Sequence, residues 1–179
     1  MKIILTILIS MISLIAPAQT YQQLWQKVNE AEKNDLPKSQ LTVIKQIAAK
    51  ATKEKQYGQL LKAQLKEGAV QVSISPDSLK PALSRMEQTY NRLSDPALKA
   101  VYATAIGKLY QKNGAALDDD TDEEVDDEEE MVVEEPKTID RSKPWFDKAL
   151  GDPSLLATRP CSGYEPAMLK GGEDSIFGN

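Results

Sequence analysis

Apolar residues recur every three or four positions along much of this chain. The clearest run has spacings of 4, 3, 4 and 3 and comprises Leu79, Leu83, Met86, Tyr90 and Leu93. Residues at these spacings share one face of an α-helix, and an apolar face is stable in water only when another element covers it. Comparable runs begin near positions 21, 37, 56, 76 and 95. The sequence therefore predicts an all-α fold whose helices pack against their neighbours.

Residues that favour helix ends support this division. Ser-Pro-Asp at 75–77 and Ser-Asp-Pro at 94–96 each place a capping side chain beside a proline suited to a first helical turn. We expect Ser75 and Ser94 to be the capping residues. Asn113-Gly114 is expected to end the fifth helix.

One segment has two interpretations. Val70, Val72 and Ile74 alternate with polar residues, as in a β-strand, and Gly68 lowers the helix propensity just before them. Because the alternation is short and long helical segments flank it, we favour the end of the third helix.

The helix starts give two helices per about 35–40 residues, which is the period of tetratricopeptide-like repeats. We therefore predict antiparallel helical hairpins over residues 19–115. The tetratricopeptide consensus itself is absent, so the prediction concerns an array of hairpins and not that named repeat. A stand-alone array of this kind would be an adaptor that binds a partner protein in its groove.

Residues 1–18 have the pattern of a secretory signal peptide. Lys2 supplies the positive start, the run from Ile3 to Ile15 is mostly apolar, and Ala16-Pro17-Ala18 matches the small residues that a signal peptidase accepts. A membrane anchor is the alternative, but the apolar run is shorter than the ~20 residues that a spanning helix needs. We expect cleavage before Gln19, export to the periplasm or cell envelope, and no membrane span afterwards.

The net charge of −5 conceals a strong asymmetry. Thirteen acidic residues and no basic residue lie between Asp118 and Glu135, which leaves 14 acidic against 22 basic side chains elsewhere. Like charges repel and this strip offers little to bury, so we predict a disordered linker over residues 116–137. The lysines are not grouped with aromatic residues in the sequence as in a nucleic-acid groove, so we expect no nucleic-acid partner.

The acidic strip also has a metal-binding interpretation. Asp118, Asp120, Asp122 and Glu129 stand at the first, third, fifth and twelfth positions of a calcium-binding loop. The sixth position needs glycine for a sharp turn, and Glu123 occupies it here. We therefore favour a solvated linker and predict no metal site. A cation-binding envelope protein stays an alternative function.

Residues 138–179 are predicted to form a short helical tail. Ser142 and Pro144 start a helix, and Asp152-Pro153 starts a further turn. The first of these helices presents Trp145, Phe146, Ala149 and Leu150. The chain stops at Asn179 without closing a helix or strand, so we expect it to be the front part of a longer protein.

The residues of common catalytic sites are missing from the sequence. The chain has no histidine and a single cysteine, Cys161, which excludes histidine-dependent triads and internal disulfides. No Cys-x-x-Cys, glycine-rich phosphate loop or Ser-x-x-Lys motif occurs. We therefore predict no catalytic residue, no cofactor and no enzymatic activity. Cys161 is interpreted as an incidental loop residue, and Trp25 and Trp145 as packing residues.

Three stretches of the chain share residues with a known family. They are YQQLWQKVNEAEKNDLPKS at 21–39, AAKATKEKQYGQLLKA at 48–63, and a tail pattern of Trp145, Ala149-Leu150, Asp152-Pro153, Leu155-Leu156 and 174–179. These stretches resemble the N-terminal region of long alpha-2-macroglobulin-like proteins that some bacteria export. The family is regarded as protease traps, in which cleavage of a bait segment makes the molecule collapse around the protease.

The resemblance implies a non-catalytic helical module at the front of an endopeptidase inhibitor. Its implied partners are the remainder of a larger chain and proteases. Some family members carry a thioester in a Cys-Gly-Glu-Gln motif, which this sequence lacks. Cys161 is followed by Ser-Gly-Tyr, so the thioester role does not transfer to it, and no other functional residue of the family transfers either.

Overall fold

The computed structural model describes residues 19–118 and 140–167. Its α-helices are α1 (Tyr21–Lys33), α2 (Pro37–Glu54), α3 (Tyr57–Ile74), α4 (Leu79–Arg92), α5 (Pro96–Asp118), α6 (Lys143–Ala149) and α7 (Pro153–Ala157). Two 3₁₀ turns are also present, Pro76–Ser78 and Cys161–Tyr164. All regular elements in these two ranges are helical, which confirms the predicted all-α class.

The helix starts show which polar residues act as caps. Asp95 caps α5, because its Oδ1 atom accepts hydrogen bonds from the backbone N–H groups of Ala97 and Leu98 at 2.9 and 3.3 Å. The prediction of Ser94 as the cap is wrong by one residue, since the side chain next to the first helical residue is the one that reaches the free N–H groups. Ser75 makes no capping bond, because the first 3₁₀ turn separates it from α4.

Helices α3 and α5 end at different kinds of position. Helix α3 continues through the alternating segment to Ile74, as the helical interpretation predicted. Helix α5 runs beyond Asn113-Gly114 to Asp118, although Asn113 departs from helical geometry with φ −122° and ψ 18°. Leu117 lies beyond that irregularity and is buried. Leu117 belongs to the C-terminal cluster, and the boundary between the helical module and the linker at residues 115–116 stays a prediction.

Short turns make successive helices antiparallel neighbours. Residues 34–36 join α1 to α2, and residues 55–56 join α2 to α3. The hydroxyl of Tyr21, at the start of α1, donates a 2.8 Å hydrogen bond to Glu54 at the end of α2. Contact between the start of one helix and the end of the next is the arrangement expected of a helical hairpin.

Helices α1 and α3 run in the same direction beside each other. The indole N–H of Trp25 donates to Gln59, and the ammonium of Lys66 donates to Glu32, each pair being 34 residues apart in the sequence. Two contacts with the same offset require parallel helices. An offset of 34 equals the tetratricopeptide period, and the existence of a true repeat stays a prediction.

Two hydrophobic clusters form the core. The N-terminal cluster buries Leu24, Val28, Ile44, Ile47, Ala63 and Val70. The C-terminal cluster buries Leu61, Leu65, Leu83, Met86, Leu93, Leu98, Tyr102, Ala105, Ile106, Leu117 and Ala167. Helix α3 supplies residues to both clusters from opposite faces, and it therefore joins them into one array.

A chain of hydrogen bonds connects α3, α4 and α5 beside the C-terminal cluster. The buried hydroxyl of Tyr102 donates to Oε1 of Gln64 at 3.0 Å, and Nε2 of Gln64 donates to the hydroxyl of Thr89 at 2.8 Å. Thr89 in turn donates to the carbonyl of Arg85 at 3.0 Å. Both ends of the Gln64 amide are paired, so these polar groups keep their hydrogen bonds when they are packed between helices.

The tail packs back onto the helical array. At the start of α6, Oδ1 of Asp140 accepts hydrogen bonds from the N–H and the hydroxyl of Ser142 at 2.9 and 2.5 Å. The ring of Trp145 meets the edge of Tyr90 with ring centroids 5.2 Å apart. Tyr164, in the second 3₁₀ turn, contacts the C-terminal cluster. Trp145 therefore has the packing role that the sequence predicted.

Two glycines allow helices to approach closely. A Cβ atom at Gly68 would lie 3.3 Å from the Cβ of Ala82, at the contact of α3 with α4. A Cβ atom at Gly107 would lie 2.8 Å from the Phe146 ring, at the contact of α5 with α6. Gly68 therefore serves helix packing although it lowers the helix propensity.

Several predictions concern residues outside the described ranges. They are the signal peptide at 1–18, the linker from 119 to 137, and the end of the tail at 168–179. Among residues 19–118 and 140–167, no helix combines the length and the apolar character that crossing a membrane requires.

Truncation of a core leucine tests the C-terminal cluster. Leu83 is buried, so Leu83→Ala should lower the free energy of unfolding by about 2–5 kcal/mol through lost contacts and a cavity. Leu109 is only partly buried, so Leu109→Ala should cost less. Urea unfolding followed by circular dichroism measures both, and equal losses would contradict this placement of the two side chains.

The contact between α5 and α6 can be tested with a matched pair of glycine substitutions. A Cβ atom added at Gly114 would have no neighbouring atom within 4 Å, so Gly114→Ala should stabilise the helix by about 0.5–1 kcal/mol. Gly107→Ala should be less stable than Gly114→Ala by about 1–3 kcal/mol, because the new methyl group meets Phe146. Thermal unfolding compares the two variants. Equal stability would mean that α6 does not pack on Gly107.

Candidate functional site

A cavity of about 410 Å³ lies where the α1–α2 turn meets the second half of α3. Leu36 and Gln40 line it from the turn and α2, and Val70 and Ile74 line it from α3. Asp35 lies at the same cavity. We call this feature the Leu36–Ile74 groove.

The turn between α1 and α2 is held by backbone hydrogen bonds. The N–H of Asp35 donates to the carbonyl of Glu32 at 3.0 Å, and the N–H of Leu36 donates to the carbonyl of Ala31 at 2.9 Å. Asp35 has a φ of 52°, in the left-handed region that aspartate tolerates better than most residues. Pro37 then starts α2 with its fixed φ. The local sequence therefore fixes the position of Leu36.

The groove exposes apolar side chains that a folded chain normally covers. Leu36 is 50% exposed and Ile74 is 54% exposed. Among the described residues, the only other large hydrophobic side chain with comparable exposure is Leu150, at 67%. Leu150 follows the last residue of α6 and is exposed to solvent. Two of these three exposed side chains, Leu36 and Ile74, line one cavity, which makes it the strongest candidate site among the described residues.

A buried amide without a partner lies in the same groove. Gln40 is 6% exposed, and its side chain forms no hydrogen bond with any other residue that the structure describes. Its backbone N–H donates to the carbonyl of Leu36 at 3.0 Å. A polar group in such a place normally has a hydrogen-bond partner, so the Gln40 carboxamide is available to water or to a ligand that enters the groove. A ligand that supplies a donor and an acceptor would pair with it.

The charges around the groove are unequal. Nζ of Lys66 lies 2.6 Å from Oε1 of Glu32, so this pair links α3 to α1 and neutralises both groups. The carboxylate of Asp35 forms no ion pair within residues 19–118 and 140–167. In the same two ranges, Lys66 is the single basic residue that lines the groove. The groove therefore keeps one uncompensated negative charge, at Asp35.

A second cavity is a weaker candidate. It has a volume of about 420 Å³ and is lined by Gln19, Gln23, Gln26, Lys27 and Glu30. These residues are exposed and polar, and α1 together with Gln19, two residues before it, supplies the whole lining that the structure describes. This lining contains no apolar wall and no buried polar group, so nothing in it selects a ligand.

Lysines stack on both tryptophans. The Lys62 ammonium lies 4.4 Å from the centroid of the Trp25 ring, and the Lys148 ammonium lies 4.0 Å from that of Trp145. Burial lowers the pKa of Lys62, and repulsion by Lys66 lowers it further. This grouping of cations with aromatic rings is not apparent from the sequence, because Lys62 and Trp25 come from different helices and one helical turn brings Lys148 to Trp145. The rings pack on the clusters and carry lysines of the same chain, so we interpret them as structural.

Shifted pKa values elsewhere reflect local packing. Hydrogen bonds from Lys50 and Tyr21 lower the pKa of Glu54, and burial is the main reason that the pKa of Tyr21 is raised. Burial, together with a hydrogen bond to Glu87, raises the pKa of Tyr110 to about 12. None of these groups lines either cavity described above, so they indicate helix contacts and not a reaction centre.

The sequence-based metal and cysteine candidates can be placed only in part. Asp118 is the last residue of α5, and the other members of the calcium-loop pattern lie outside the described residues. Cys161 begins the second 3₁₀ turn. Within the described part of the chain, no three His, Cys, Asp or Glu side chains are grouped so that they could hold a metal ion.

Comparisons with protein families, with curated proteins and with solved structures found no match to this chain. The function proposed for the groove therefore comes from its geometry and chemistry.

The raised pKa of Tyr110 predicts a pH dependence of stability. In the folded protein this phenol has a pKa of about 12, against 10.0 for an ordinary tyrosine, so the fold favours its neutral form. The resulting stabilisation is complete below pH 10 and is lost as pH rises to about 12. Tyr110→Phe should therefore lose less stability than the wild type across this interval. Urea midpoints at both ends of the interval measure the difference, and parallel losses would contradict the prediction.

Proposed function

We propose that this chain is a non-catalytic helical docking module that binds an extended segment of another polypeptide in the Leu36–Ile74 groove. One observation carries the proposal: two exposed aliphatic side chains and a buried, unpaired amide line the same cavity. Apolar walls bind a side chain, and an amide pairs with a peptide backbone.

The openness of the groove favours a polypeptide over a small molecule. Pockets for small molecules enclose most of the ligand surface. Here Leu36, from the α1–α2 turn, and Ile74, from α3, are each about half exposed to solvent. A chain segment that crosses the groove covers these side chains and continues beyond them on both sides.

The sequence suggests in which cellular compartment and in which larger protein this docking takes place. The signal-peptide pattern at residues 1–18 supports export. The resemblance of residues 21–39 and 48–63 to alpha-2-macroglobulin-like proteins is the ground for proposing a role at the front of a protease-trapping envelope protein. In that setting the bound segment belongs to the remainder of the larger chain. In a stand-alone adaptor it belongs to a separate protein. Both versions require the same groove.

Selection from a library of displayed random peptides tests the docking function. Peptides should be enriched on the purified protein and should lose binding to Ile74→Lys, because a charged side chain disrupts the apolar wall. Leu150→Lys is the matched control: it removes another exposed aliphatic side chain, which lies outside the groove, and should keep the same peptides. Circular dichroism checks that both variants retain their helices.

Two results would reject the docking function. One is a selection that enriches no peptide over an uncoated surface. The other is a set of enriched peptides that bind Ile74→Lys as well as they bind the wild type.

A further inference from the structure

We infer that the groove recognises a particular kind of peptide, in which an aliphatic residue is followed by a lysine or arginine and the backbone of the aliphatic residue is bound by Gln40. This inference rests on the proposed docking function and specifies its ligand. Three features of the groove determine the three elements of the ligand.

The walls of the groove select an aliphatic side chain. Leu36, Pro37, Val70 and Ile74 line it together with Ala69, and no aromatic residue is among the described residues that line it. Val70 is buried and belongs to the N-terminal cluster, so the floor of the groove is continuous with the core. A leucine, isoleucine or valine side chain on that floor would cover the exposed parts of Leu36 and Ile74.

The amide of Gln40 selects a peptide backbone. A carboxamide has donors on its nitrogen and acceptor sites on its oxygen, and it can pair with the N–H and the C=O of one residue at the same time. Gln64 is a useful comparison, because its carboxamide also lies between helices and both its nitrogen and its oxygen are hydrogen-bonded to neighbouring residues. Ser142, the other buried polar residue among those described, is likewise paired, with Asp140. Gln40 is the exception.

The carboxylate of Asp35 selects the basic residue. The other acidic side chain that the described lining contains, Glu32, is already paired with Lys66 at 2.6 Å. Lys33 and Lys38 flank the turn in the sequence but do not line the groove. The left-handed backbone of Asp35 fixes the start of its side chain beside Leu36. A cation that follows the aliphatic residue of a bound peptide can therefore reach a carboxylate without a competing ion pair.

A synthetic hexapeptide, acetyl-Ser-Gly-Leu-Lys-Gly-Ser-amide, provides the test. Its binding to the purified protein is followed by NMR, using the backbone resonances of Asp35, Val70 and Ile74, with Leu150 as a position outside the groove. We expect the resonances of the groove to shift and that of Leu150 to stay unchanged. Replacing the peptide leucine by alanine should weaken binding by about tenfold or more.

Two paired changes test the roles of Gln40 and Asp35. Methylation of the leucine amide nitrogen should weaken binding about three- to tenfold in the wild type and should have no effect in Gln40→Met. Replacing the peptide lysine by glutamate should weaken binding about three- to tenfold in the wild type and much less in Asp35→Asn. Gln40→Met should also raise the melting temperature, because it replaces an unpaired buried amide by an apolar side chain of similar size.

The outcomes separate this inference from the proposed function. If displayed peptides bind the groove but the hexapeptide does not, or if N-methylation and the glutamate substitution have the same effects in the variants as in the wild type, the ligand assignment is wrong and the docking function stands. If no displayed peptide depends on Ile74 and the hexapeptide does not shift the groove resonances, both are wrong.

Discussion

Burial of helix α3 on two opposite faces is the constraint on which the rest of the structure depends. Leu61 and Leu65 on one face belong to the C-terminal cluster, whereas Ala63 and Val70 on the other belong to the N-terminal cluster. Two helices with a single apolar face each can cover both faces by packing as a pair, so no apolar surface is left for a third helix. A helix that is apolar on two faces needs neighbours on both sides. Helix α3 therefore joins the hairpin of α1 and α2 to the layer of α4, α5 and the tail.

The candidate site follows from the same arrangement. The C-terminal end of α3 lies beside the turn between α1 and α2. No other described element covers the apolar side chains of Leu36 and Ile74 there. Ile74 and Leu36 are consequently left half exposed, and Gln40 is covered by neighbouring atoms that provide no hydrogen bond. Exposed aliphatic surface is unfavourable in the isolated protein, and the side chain of Gln40 has no hydrogen-bond partner among the described residues. A bound peptide would cover the aliphatic surface and pair with the amide, which is the physical basis of the proposed docking function.

Local sequence signals predicted the helices more reliably than their ends. The prediction that the third helix extends over Val70, Val72 and Ile74 is confirmed, because long helical segments on either side outweigh a short alternation. The capping residue of α5 is Asp95 and not Ser94, a difference that depends on where the first turn closes. The predicted end of that helix at Asn113-Gly114 coincides with a kink at Asn113, and a further helical stretch reaches Asp118 beyond it. Leu117 in that stretch is buried, and its burial is not a local property of the sequence.

The sequence by itself determined the all-α class, the number of long helices, and the packing roles of the tryptophans, because apolar spacing and residue type are local properties. Tertiary structure alone decided that α1 and α3 run parallel, that Gly107 admits the ring of Phe146, and that Leu36, Gln40 and Ile74 meet at one groove. These residues lie far apart in the chain and no short motif links them. Whether they come together depends on which faces of α3 are covered by the neighbouring helices, and only the tertiary packing determines which faces those are.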